Sequence, residues 1–304
     1  MLAGNIAARH DAPLAAIVLT FATLIISGIL GGMLLERTGT LTLMRSESSN
    51  LVAIKSDASS PPRVWLVAHT DSKSQTIGML TRVASVAIAG IFLALTVVSM
   101  TAQLVGMPES MGFPAGWLGV QTTILSALTA IAIVPVILCF ITNNSRGALD
   151  NATGVAAVLL SLENMRVDCN VGVLLTSAEE IGLAGARAFV ATRLEKGIAI
   201  NCDTIDNSGR FICMTNDVRR HDAVAMSKAG SKVDEKVKVR GMIRGILTDS
   251  IPFSRAGWAS CTLSRGNLGT LARVHTSRDE PGRIDGAGVA LAARILAATV
   301  EELS

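Results

Sequence analysis

The sequence contains no tyrosine, and aromatic residues make up only 3% of it. Charge is scarce as well, at 17% of residues against the roughly 25% usual for soluble globular chains. The signs nearly cancel, 27 Lys and Arg against 24 Asp and Glu leaving +3. That is too little for an electrostatic grip on nucleic acid, so no nucleic-acid partner is expected. Five cysteines, odd in number and without regular spacing, argue against a disulfide scaffold and suit a reducing compartment. Apolar residues fill the difference: half of the chain is hydrophobic and mean hydropathy is +0.48. A disordered chain, a collagen-like chain and an ordinary wholly soluble enzyme are thereby excluded.

The apolar excess sits in three charge-free runs, Leu14 to Leu35, Val83 to Gly106, and about Trp117 to Ile141 with Pro135 as an expected kink. Each exceeds the roughly 20 residues a helix needs to cross about 30 Å of hydrocarbon. One such run could be a core helix of an apolar protein; three in one chain predict three transmembrane helices and a lipid bilayer as partner. The first is long for a signal peptide and lacks a small-residue cleavage site, so it reads as a retained anchor. The expected organisation is an anchor over 1–35, a discontinuous soluble domain over 36–82 and 142–304, and an inserted helical hairpin over 83–141. Lys73 and Arg82 precede the hairpin and Arg146 follows it, while its connecting loop MPESMGFPAGW has no Lys or Arg. Arg37 and Arg45 after the first run outweigh Arg9 before it. The basic side, which carries the soluble domain, is expected to be cytoplasmic in a multi-pass membrane protein.

In the soluble part, Arg63 to Ala68 (RVWLVA) reads as a buried strand behind the turn signal SSPP, with Asn50 to Ile54 as its neighbour. Further strands are expected at Val171–Thr176, Ile198–Cys202, Arg210–Thr215, Lys236–Arg240 and Ala259–Leu263. Helices are expected over Asn151–Met165, Leu183–Leu194 and Ile284–Leu303. Strands alternating with helices predict an α/β fold, a mixed and mostly parallel sheet sandwiched between helices. In such sheets, sites form beyond the carboxyl ends of the strands.

Three of the predicted strands run directly into acidic or imidazole side chains: His69-Thr70-Asp71 after RVWLVA, Glu179-Glu180 after VGVLLTSA, and Asp203 after INC. Asp150 and His275 sit in loops. Taken singly these are weak signals. A strand-end His is more often a hydrogen-bonded structural residue, a Glu pair at a helix start favours the helix dipole, and Asp-Asn before a helix is commonly a cap. Their joint placement at strand ends is not explained that way.

The stretches AHTDS, GALDNATGVA, TSAEEIGLAGARAFV, INCDTID and VHTSRDEPGRID, with TDSIPFSRAG before the last strand, resemble the co-catalytic dizinc aminopeptidases of the aminopeptidase Y type, metallopeptidase family twenty-eight. The resemblance covers nearly all of the soluble domain. It implies a zinc-exopeptidase fold with an eight-stranded mixed sheet and two zinc ions. His69 and Asp203 would bind one ion, Glu180 and His275 the other, and Asp150 both. Glu179 would be the general base and Asp71 would orient His69. The residue types suit these roles, since imidazole and carboxylate are ordinary zinc ligands and a carboxylate behind a ligating His fixes its tautomer.

The resembled family joins His-x-Asp to the bridging Asp by a short loop, whereas here residues 72–149 intervene and carry two of the apolar runs. Two crossings return the chain to the side it left, as one assembled site requires, and predict a site near the membrane surface. A Tyr that some members place before the last His is Val274 here, which leaves the oxyanion to the ions or to a donor such as Ser264 or Arg265. Asp206 is a lesser rival to Asp203. Asp279 could support His275, and Cys202 is expected to be a core thiol. The implied activity is membrane-anchored zinc metallopeptidase, foremost an aminopeptidase cleaving N-terminal peptide bonds of a peptide or small amide by metal-activated water. The alternatives are a silent scaffold of the same fold, or an amidohydrolase or cyclase acting on a non-peptide or lipid-linked amide.

Overall fold

The computed structural model describes residues 47–55, 60–105, 112, 116–166, 169–243 and 245–303. The first apolar run, the anchor expected over 1–35, lies outside them. Contacts divide the chain into two compact units, with Thr76–Phe140 in one, and Thr38–Gln75 with Ile141–Ser304 in the other.

The larger unit is built on strands β1 (Leu51–Lys55), β2 (Val64–His69), β5 (Val171–Thr176), β6 (Ile198–Ile205), β7 (Arg210–Thr215), β8 (Val237–Gly241) and β9 (Ala259–Gly266). They form one sheet in the order β1-β5-β2-β6-β9-β7-β8. Four of its pairings are parallel, and β1–β5 and β7–β9 are antiparallel, so the sheet is mixed and mostly parallel as expected. Among the described residues it has seven strands, not the implied eight. Two further short strands, β3 (Ser74–Gln75) and β4 (Ile141–Thr142), pair with each other apart from the sheet. Residues 76–140 therefore leave and rejoin this unit at adjacent points.

Every residue of β2 is buried, which requires cover on both faces. Alternation divides the side chains accordingly. Leu66 and Ala68 join Ile200, Ile205 and Leu263 against residues of three helices, α3 (Thr153–Asn164), α5 (His221–Lys232) and α7 (Ala287–Leu303). Trp65 and Val67 face the other layer, formed by α4 (Ala184–Ala191), α6 (Ser250–Arg255) and Trp258. Few aromatics are present, but they are concentrated here: Trp65 meets Phe189 edge-on at 4.9 Å and Phe253 meets Trp258 at 5.2 Å. Gly172 lies opposite Trp65 in the register, and a Cβ there would stand 2.5 Å from the indole.

The smaller unit is a pair of helices, α1 (Met79–Leu104) and α2 (Trp117–Ile137), both long and apolar enough to cross a membrane. α1 begins before the charge-free run and so includes Arg82; α2 ends at Ile137 and leaves Cys139 beyond it. Between them, Gln103 Nε2 donates to Thr122 Oγ1 at 2.6 Å, and the Ser99 and Thr122 hydroxyls lie 2.8 Å apart. Such small polar links join helices where apolar contact alone gives no preference.

Candidate metal centre

Because β2, β5 and β6 lie side by side and parallel, their carboxyl ends share one rim. His69 is the last residue of β2, and Glu179 and Glu180 follow β5. Asp203 differs from expectation, since β6 continues past it to Ile205. The register with β9 shifts between Cys202 and Ile205, and Thr204 has φ +57°. A bulge of this kind re-aims a side chain without ending the strand. Positive φ recurs at Ala178 (+56°), just before the Glu pair, and at His275 (+61°). For residues with a Cβ such conformations cost about 1–3 kcal/mol each and collect where geometry is dictated by function.

Asp150 lies in a tight turn entered through Gly147, whose φ of +64° and contact with Ser72 leave no room for a side chain. The turn occupies the start of the helix predicted over Asn151–Met165, so α3 begins only at Thr153. Asn151 accepts from Gly154 N–H at 3.1 Å and also reaches β6, accepting from Thr204 N–H at 3.1 Å and donating to the Cys202 carbonyl at 2.9 Å. The buried Asp279 carboxylate accepts the N–H of Leu149 at 2.5 Å and of Asp150 at 3.3 Å. It thus supports Asp150, not His275, whose buried Nδ1 has no hydrogen-bond partner.

The structure brings the five predicted ligands and Glu179 together in two groups, His69, Glu179 and Asp203, and Asp150, Glu180 and His275, with Asp71 in neither. Within each, one potential ligand atom per residue lies within 4.8 Å of the others. Asp150 joins the groups through its two oxygens, Oδ1 3.1 Å from His69 Nε2 and Oδ2 2.9 Å from His275 Nε2. His69 Nε2 is also 3.8 Å from Asp203 Oδ1, and His275 Nε2 3.2 Å from Glu180 Oε1.

The Asp71 backbone carbonyl, not its carboxylate, makes the short contact to His69 Nδ1, at 2.9 Å against 3.8 Å. The carboxylate accepts the N–H groups of Glu179 and Glu180, each at 3.1 Å, and so fixes the segment that carries both side chains. Sequence reasoning missed Lys73, whose Nζ lies 2.6 Å from Glu180 Oε2; its position two residues after Asp71 was the available signal. From the sequence, Asp249 is expected either to line the substrate cleft or to serve a capping or turn role. That fully buried carboxyl accepts from Thr176 Oγ1, and burial foremost pushes its pKa up to about 7.

The electrostatics are those of a crowded anionic pocket. Burial opposes charge on both imidazoles, but Asp150 and Asp203 hold His69 well above its ordinary range, and Asp150 and Glu180 raise His275 to about 9. Burial raises Glu179 well above the usual carboxylate range, with Asp203 and Asp249 adding to it. Glu180 is lowered: burial opposes this, but the hydrogen bond to His275 prevails.

Other candidates are engaged elsewhere. Ser264 donates to the Thr204 carbonyl, and Arg265 lies 4.8 Å over the Phe211 ring. Asp206 pairs with Arg273 and accepts from Thr270, outside both groups. Cys202 is fully buried in the core, as expected.

The donors fit divalent ions. Four carboxylates and two imidazoles converge in near-complete burial, and the buried Nδ1 of His275 has no hydrogen-bond partner among the described residues. Carboxylates gathered in that number favour cations, and the nitrogen and oxygen donor set suits zinc.

A sequence model described as peptidase family M28 matches residues 134–300. No curated protein matches the chain. Among solved structures, a zinc aminopeptidase from Bacillus subtilis is similar with 18% identity and a TM-score of 0.54, over 84% of this chain and 50% of that one. An aminopeptidase from Aneurinibacillus sp. strain AM-1 has 15% identity and a TM-score of 0.53, over 83% and 47%. The LapA aminopeptidase of Legionella pneumophila has 12% identity and a TM-score of 0.54, over 84% and 55%. The chain thus spans about half the length of the solved structures it matches, and at these identities the likeness establishes a shared fold.

Proposed function

The chain belongs to peptidase family M28, and on that premise we propose that it is a membrane-anchored dizinc aminopeptidase that hydrolyses the first peptide bond of its substrate. The observation that carries the reading is the divided carboxylate of Asp150, one oxygen toward each imidazole. A residue so placed can be shared by two ions, the first also held by His69 and Asp203 and the second by Glu180 and His275. When bound, the ions would supply an activated water near neutral pH and polarise the scissile carbonyl.

The remaining work falls to the chain's own side chains. Glu179 is the general base: it takes a proton from the attacking water and returns it to the leaving amine nitrogen. Burial favours its protonated form, which makes its carboxylate a willing proton acceptor in this pocket. Asp71 positions the pair, its carboxylate fixing both Glu backbones and its carbonyl fixing the His69 tautomer so that Nε2 faces inward. Oxyanion stabilisation would fall to the ions when bound, as no Tyr exists and Ser264 and Arg265 are engaged elsewhere.

Membrane attachment is part of the proposal. α1 and α2 expose large apolar side chains such as Ile91, Val98 and Ile131, which suits lipid. The Lys and Arg residues at the hairpin's ends support a cytoplasmic location for the peptidase unit.

The test is zinc content together with hydrolysis of aminoacyl-amide and peptide panels, for the purified chain and Glu179→Gln. Two zincs per chain in both proteins are expected, with a ~10²–10⁴-fold loss of rate in the variant. Full activity in Glu179→Gln would remove the proposed base, and inactivity of the unaltered zinc-loaded chain on every panel would remove the peptidase.

A further inference from the structure

The two groups differ in one respect that the ligand types do not reveal. Lys73 Nζ lies 2.6 Å from Glu180 Oε2 and donates to the Glu180 carbonyl at 3.3 Å, so its position is fixed by two acceptors on one residue. The opposite oxygen, Glu180 Oε1, faces away from Lys73 and lies 3.2 Å from His275 Nε2. Among the described residues, no Lys or Arg pairs with Asp203 or Glu179 in the other group. One group thus carries a fixed positive charge on a ligand carboxylate, and the other does not.

We propose that Lys73 makes the two metal positions unequal: it restricts Glu180 to ligation through Oε1 and weakens the position formed by Asp150, Glu180 and His275 relative to the one at His69 and Asp203. The proposal rests on the dizinc reading above. Its physical basis is charge. A carboxylate whose second oxygen is neutralised by an ammonium gives less of its charge to an ion on the first oxygen. The ammonium would also repel a dication held by Glu180, and with the Lys73 side chain 20% exposed, solvent would screen that repulsion incompletely. The ion beside His275 is therefore the one that exchanges first.

The experiment is stepwise zinc binding to the full-length protein in detergent, measured by competition with a chromogenic chelator, for the unaltered chain, Lys73→Met and Lys73→Arg. The unaltered chain should bind two zincs with separable affinities. Lys73→Met should tighten the weaker step at least tenfold and shift the tighter step less than threefold; Lys73→Arg, which keeps the charge, should preserve the gap. The tighter step serves as an internal control that the variant is folded. If the unaltered chain binds two zincs and Lys73→Met leaves the weaker step unchanged or weaker still, Lys73 does not set the inequality. If the unaltered chain binds fewer than two, the dizinc reading itself fails.

Discussion

Asp279 holds Asp150 by its backbone: the Asp150 N–H donates to Asp279 Oδ2 at 3.3 Å, and the adjacent Leu149 N–H donates to Oδ1 at 2.5 Å. Both oxygens of one buried carboxylate are thus spent on fixing the turn that presents another.

Asp279→Asn replaces one of those acceptors with a donor that faces an N–H. The turn should shift, and both proposed ions should be affected because Asp150 is shared. We expect zinc retention against a chelator to fall about 10–100-fold, the usual cost of losing a group that orients a ligand. Retention equal to that of the unaltered chain would show that the turn holds without Asp279.

Proton linkage gives a second test. In the metal-free protein, His275 titrates near 9 and His69 well above its ordinary value, so both carry protons at pH 7, whereas zinc binds only neutral imidazole. Zinc addition at pH 7 in weak buffer should release at least two protons per chain, and affinity should rise with pH up to about 9. The stability of the metal-free form should run the other way. An imidazolium favoured by the fold contributes fully below the unfolded value of about 6.5, and the contribution is lost as pH rises through the folded value. The melting temperature of chelator-treated protein should therefore fall between pH 6.5 and 9, while the zinc-loaded form shows no such decline. Zinc uptake without proton release would contradict the assignment of both imidazoles.

Topology supplies a third. A reporter fused after residue 303 should be active only in its cytoplasmic form, as should one inserted at the exposed Ser60. A reporter in the loop around Gly112 should report the opposite side. Opposite signals from the first two positions would break the even number of crossings that one assembled site requires.

Much of this centre is legible in the sequence because a parallel sheet gathers strand ends on one rim. His69 and the Glu179–Glu180 pair each follow a short apolar run, and that pattern alone predicts their meeting. Asp203 was less legible: β6 continues through it, and the left-handed turn at Thr204 has no sequence signal, since Thr is a poor residue for positive φ. Asp279 and Lys73 were misplaced or missed for a different reason. Their partners, the Asp150 turn and Glu180, are far away in sequence, and a hydrogen bond between distant segments leaves no periodicity to read. The start of α1 escaped because a helix does not stop at the edge of its apolar run: Arg82 lies in its first turn.

The central claim is that Asp150 is shared by two ions. Zinc K-edge X-ray absorption on the loaded protein tests it most directly. The account predicts a nitrogen and oxygen first shell and a zinc–zinc vector at ~3.5–4 Å, which disappears in Asp150→Ala. A fully loaded protein with no zinc–zinc vector, its ions isolated from each other, would contradict it.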